Sequence, residues 1–213
     1  MKLMGIVIAI TWCITQTTSA PYSPGNSSTA SAMDTENLIK LLVVPRVINA
    51  TAQMKLFYPF ISSSSLLQDP LITLGLAQSE ACTQNQLIQD KLKILHSKMA
   101  VFMAPLHLTS SFEDSQGPSH RSLASVLEDL SYFLNGTVMY IEQKQMVSRG
   151  FTVPGVTTIP ESNLNGQTRG YLTALVQNNL VTITVTSGVV KTYRNYVIVR
   201  TLYDVINEAS SCF

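Results

Sequence analysis

Apolar positions along this chain recur mostly at helical spacing, and the clearest run lies near the middle. Ile88, Leu92, Leu95, Met99, Phe102 and Leu106 follow intervals of four and three residues, while Asp90, Lys91, Lys93 and Lys98 fall off that stripe. The pattern predicts an amphipathic helix, with Thr83 and Gln86 as a capping box and Pro105 and the polar stretch 109–119 as its end. A second stripe of Leu123, Leu127, Leu130, Leu134, Val138 and Ile141 predicts a helix over about 119–148, stopped by Gly150. An earlier helix is expected from about Asp34 to Tyr58, with Leu38, Leu41 and Leu42 on one face and a kink at Pro45.

The last helix is expected over 188–213. Its apolar side is Val190, Val197, Ile198, Leu202, Val205 and Ala209, and Tyr193, Tyr196, Arg200 and Tyr203 fall together opposite. A Tyr/Arg face is a candidate contact surface, because those side chains bury much area at low entropic cost. It is equally a face that a long connection could cover. Lys191, Tyr132 and Met139 join it as candidate receptor contacts, the last two because they point away from the stripe of the third helix.

Two long connections separate these helices. The stretch 59–83 carries a serine run, Pro70 and Gly75, with apolar patches that favour packing along the helices. The stretch 151–170 holds Pro154, Gly155, Pro160 and Gly166 and reads as a loop, with a short helix around Leu172–Val176. Val181–Thr186 alternates with period two and is β-branched throughout. Alone it reads as a strand, and next to a helix it could be a helix entry.

The N-terminus sets the compartment. Lys2, an apolar run over 4–14 and small residues at 18–20 predict a secretory signal peptide over 1–20, too short for a membrane span. A small, polar, Pro-bearing stretch over 21–33 predicts a disordered arm, leaving 34–213 as one domain. The product is expected to be secreted and extracellular, without membrane insertion. Three sequons, at Asn26, Asn49 and Asn135, agree with secretion. Asn135 lies about 120° from its helix's stripe and points outward, whereas an unkinked first helix would set Asn49 beside Leu38 and Leu42.

Net charge is only +1, so composition does not point to nucleic acid. Cys13 leaves with the signal peptide, and Cys82 and Cys212 then form the simplest disulfide in an oxidising compartment. Such a bond needs Cα atoms within about 7 Å. It therefore implies that the helix after Cys82 starts at the end of the bundle where the last helix finishes. That geometry belongs to an all-α four-helix bundle in up-up-down-down order with two long crossover loops.

No catalytic constellation stands out. His96, His107 and His120 show no metal-ligand spacing and read as surface histidines, and Glu128-Asp129 reads as a solvated face. The expectation is no enzyme, no cofactor and no metal.

With the signal peptide, the kinked first helix, the long crossovers and the closing segment RNYVIVRTLYDVINEAS (194–210), the chain resembles the interleukin-6-type long-chain helical cytokines. Leukaemia inhibitory factor, ciliary neurotrophic factor and cardiotrophin are members, and several fish cytokines share this layout. The resemblance implies a monomer that binds a cell-surface cytokine receptor of the glycoprotein-130 type, alone or together with a second receptor chain. It implies contacts from exposed faces of the first and third helices and from the start of the fourth. Members that use the leukaemia inhibitory factor receptor open the last helix with Phe-x-x-Lys. Here Lys191 is present and Gly188 stands where Phe would be. The alternatives are a leptin-like or interferon-like helical cytokine, or a secreted lipid-binding carrier with 180–185 lining a β cavity.

Overall fold

Helix formation by the periodic stretches accounts for most of the computed structural model, which describes residues 34–77, 82, 83 and 85–209. The expected signal peptide, the arm with Asn26, and Cys212 lie outside these residues. The described part is all-α, and no strand occurs among the described residues.

The first helix is helical over 34–38, widens into a π turn over Ile39–Val43 and continues as α1, Val44–Phe57. Pro45 explains the widening. Its ring has no N–H to give and would crowd the carbonyl one turn back, and the π turn relieves that clash. The core face is therefore Thr35, Ile39, Val43, Val47, Ala50 and Met54, all fully buried. The expected Leu38/Leu41/Leu42 face is corrected: Leu41 is exposed, the other two are half-buried, and Asn49 is exposed.

The chain turns sharply at Tyr58 and forms two single-turn helices, Pro59–Ser62 and Ser65–Gln68. Ile61, Leu67, Leu74 and Leu76 are buried, so this connection packs as a belt along the helices.

The stretch expected as one helix ending at Pro105 is two. α2 spans Ile88–Ala100, the chain bends at Val101 and Phe102, and α3 spans Met103–Ser115. Pro105 lies in the first turn of α3, where backbone N–H groups have no intrahelical partner, so it begins a helix instead of ending one. The polar residues that follow stay helical because Pro105, Leu106, Thr109 and Glu113 are buried.

A short 3-10 turn, Pro118–His120, leads into α4, Arg121–Tyr140, whose predicted leucine stripe is fully buried. A π turn, Ile141–Met146, and a 3-10 turn extend it to Gly150, which takes the left-handed conformation (φ 72°) expected of a helix stop.

α5 spans Glu161–Gln177, so the loop expected to reach Gly170 is corrected. Gly166 and Gly170 cost this helix about 1 kcal/mol each. Burial of Leu164, Thr168, Leu172 and Leu175 offsets that cost. Residues 181–186 are neither strand nor helix, yet their alternation survives: Val181, Ile183 and Val185 pack inward, while Thr182, Thr184 and Thr186 are exposed. Thr186 then caps α6, Ser187–Ala209, its hydroxyl accepting from the Val189 N–H at 3.3 Å. α6 packs against α1, α2, α3 and α5, while α4 packs against α1, α2 and α3.

Candidate interaction surface

The expected outward Tyr/Arg face of α6 is not a surface. Tyr193 and Tyr196 are fully buried, and every residue from Thr192 to Val199 is buried. The belt covers them. The Tyr193 hydroxyl donates to the Leu66 carbonyl at 3.4 Å, Tyr196 donates to the Gln68 carbonyl, and Arg200 pairs with Asp69 at 3.2 Å. Tyr171 of α5 stacks on Tyr193 with centroids 6.1 Å apart. Arg200 and Tyr203 are half-buried, and so is Lys191, whose ammonium lies over the Phe112 ring. Burial favours the neutral phenol, which pushes Tyr193 far above its ordinary range and Tyr196 up to about 12.

The polar residues of α6 serve a buried network that sequence periodicity did not reveal. The Arg194 guanidinium reaches Glu161 at 2.8 Å and Asn165 at 3.0 Å on α5, and donates to the Asn195 side-chain oxygen at 2.7 Å. Burial pulls Arg194 below its ordinary range, opposed by Glu161. Burial alone would raise Glu161, but hydrogen bonds from Arg194 and Asn165 and the Arg194 charge hold it below the usual carboxylate range. Asn195 in turn donates to Glu113 at 3.3 Å. The buried Glu113 carboxylate also accepts from Tyr58 at 2.5 Å and meets His120 Nδ1 at 3.0 Å. Burial, then the hydrogen bond and charge of Glu113, push Tyr58 well above the usual phenol range. The end of α1, the end of α3, the start of α4 and the upper part of α6 thus meet at one corner.

Of the three histidines expected at the surface, only His107 is exposed. His120 belongs to the corner. His96 is buried, with neither ring nitrogen hydrogen-bonded and the Glu142 carboxylate 3.5 Å away. Among the described residues no group of three or more His, Cys, Asp or Glu is placed to hold a metal ion, and no helix is long and apolar enough to cross a membrane. Glu128 and Asp129 are exposed, and Asp129 bonds Arg46 at 2.9 Å. Cys82 is disulfide-bonded.

Exposed apolar side chains line up along the first helix and α4, whereas Leu71, Leu87, Val156 and Leu180 are exposed singly in the connections. Leu41, Pro45, Ile48, Ala52 and Leu56 are all exposed and spaced by four, three, four and four residues. At 100° per residue they share one stripe opposite the core face. Leu41 and Leu56 are more than 70% exposed, unusual for leucines aligned along a helix. On α4, Tyr132 and Met139 are more than half exposed, where their positions on the wheel place them. The two helices are fastened side by side: Arg46 pairs with Asp129, and its guanidinium carbon lies 3.3 Å from the Phe133 ring centroid. Asn49 lines the groove between α1 and α4, and Asn135 lines a groove between α3 and α4.

No family model, curated protein or solved structure matches this chain.

The α1 stripe was legible in principle. Leu41, Ile48 and Leu56 are spaced by seven and eight residues, close to two helical turns each, but Leu38 and Leu42 compete with them until the π turn before Pro45 sets the phase.

Proposed function

We propose that this chain is a secreted long-chain helical cytokine that assembles cell-surface receptor chains of the glycoprotein-130 type, with the stripe on α1 and the outer side of α4 as its main contact. The corner cluster carries this reading. Tyr58 ends the first helix and Glu113 lies near the end of the second, whereas His120 directly precedes the third and Asn195 lies in the first half of the last. Four such points meet at one corner when the first two helices run up together and the last two run down. Two further pairs support that order: Arg46 with Asp129 along α1 and α4, and Lys98, in the last turn of α2, with Glu208 at the end of α6.

In this up-up-down-down bundle α2 and α3 form one bent helix. The belt over 58–77 belongs to the first crossover, and the segment with α5 is the second. A bond from Cys82 to Cys212 closes the end remote from the corner. Burial of Tyr193 and Tyr196 moves the functional face from α6 to α1 and α4. Apolar side chains exposed in one stripe need a partner, since they stabilise nothing within the chain.

The test is a titration of the secreted protein onto purified ectodomains of glycoprotein-130-type receptor chains, with unrelated helical-cytokine receptors as controls. Saturable binding to the first group alone is expected. Binding only to a control receptor would move the chain to the leptin-like or interferon-like class.

A further inference from the structure

The groove between α3 and α4 has no role in the bundle, and of the exposed side chains proposed for the receptor face it takes in Tyr132 alone. It is an open cavity of about 630 Å³, within the range of small-molecule sites. Its lining is mixed: hydroxyls and carboxylates of Ser110, Asp114, Ser125 and Glu128 stand beside the apolar Met103 and Ala124. Asn135 stands on its wall, one helical turn from the exposed ring of Tyr132. Hydroxyls and carboxylates beside an accessible aromatic face suit a carbohydrate, whose hydroxyls need partners and whose C–H faces lie against rings.

We infer that this groove seats the first N-acetylglucosamine residues of a glycan carried on Asn135; the inference rests on the reading of the chain as secreted. In the attachment step the Asn135 amide nitrogen forms a bond to the anomeric carbon of the first sugar. The sugar–oxygen bond of a lipid-pyrophosphate-linked oligosaccharide breaks, the pyrophosphate departs with the bonding electrons, and the nitrogen releases one proton. Timing is constrained by the structure. Thr137, the hydroxyl residue of the sequon, is buried, with its hydroxyl donating to the Phe133 carbonyl at 2.8 Å. Attachment therefore precedes closure of α4. Once seated, the sugars cover Tyr132 and leave Met139 and the α1 stripe as the uncovered apolar face.

The experiment is expression in a secretory cell line, peptide mapping of all three sequons, and hydroxyl-radical labelling before and after enzymatic deglycosylation of the folded protein. Asn135 should be modified. Labelling of Met103 and Tyr132, which line the groove, should rise several-fold on deglycosylation, while Met139 outside it stays unchanged. An unmodified Asn135 beside a modified Asn26 or Asn49 overturns the inference alone. Three unmodified sequons overturn the secretion reading with it. A modified Asn135 with equal labelling of Met103 and Tyr132 in both forms overturns the seating.

Discussion

Glu113 joins more helices than any other side chain of the corner. It is fully buried and takes hydrogen bonds from Tyr58 and Asn195 while facing His120. Removing it strands three polar partners at once. Glu113→Ala should therefore lower stability by about 3 kcal/mol, read as a lower urea midpoint, and Glu113→Gln should cost clearly less because its amide keeps an acceptor. Equal midpoints for Glu113→Ala and the native protein would contradict the corner. The buried phenols give a pH dependence. Burial raises Tyr58, Tyr193 and Tyr196, the last to about 12 from an ordinary 10.0. The folded state then holds these protons above the pH at which the unfolded chain gives them up. Their contribution is complete below pH 10 and is lost as pH rises towards 12. Urea denaturation at about pH 8 and about pH 11 should show that fall, with a shallower fall in Tyr196→Phe.

At the scale of elements, α6 carries the sharpest lesson. Periodicity located the helix and its apolar side, and it grouped Tyr193, Tyr196, Arg200 and Tyr203 correctly. It could not say what lies against the second side, because a belt some 130 positions earlier supplies that cover. Charge content gives no warning either: Lys191, Arg194, Arg200, Asp204 and Glu208 all fall within 188–209, and Arg194 is fully buried all the same. Tyr193→Ala should behave as a core truncation and cost about 3–5 kcal/mol, measured by thermal or urea unfolding; a change below about 1 kcal/mol would return it to the surface. α4 was legible almost residue by residue, because one leucine stripe meets one core. Of α5 only the last turns, around Leu172–Val176, were legible, since two glycines and a polar surface hide the rest of a helix held by four buried side chains. Residues 181–186 alternate like a strand and find no partner strand, so the pattern reports inward and outward packing without a sheet.

For the whole molecule, chain order and connection lengths pointed to an all-α fold, and that much is observed. The proposed helix order rests on contacts between distant segments that no local pattern reveals, above all the corner and the Lys98–Glu208 pair. A peptide map of the non-reduced protein should join Cys82 to Cys212. Such a bond closes a loop of about 130 residues, so its reduction should lower stability by up to about 5 kcal/mol. A map joining either cysteine to anything else would contradict the bundle order. The proposed receptor contact lies on α1 and α4 and not on α6. Its most direct test is the affinity of Ile48→Asp and Arg200→Ala for a glycoprotein-130-type ectodomain, measured beside the native protein with unfolding temperatures as controls. Ile48→Asp should weaken binding at least about tenfold, the equivalent of about 1.4 kcal/mol, without a change in unfolding temperature, while Arg200→Ala should bind as the native protein does. Undiminished binding by Ile48→Asp together with loss of binding by a stably folded Arg200→Ala would contradict it.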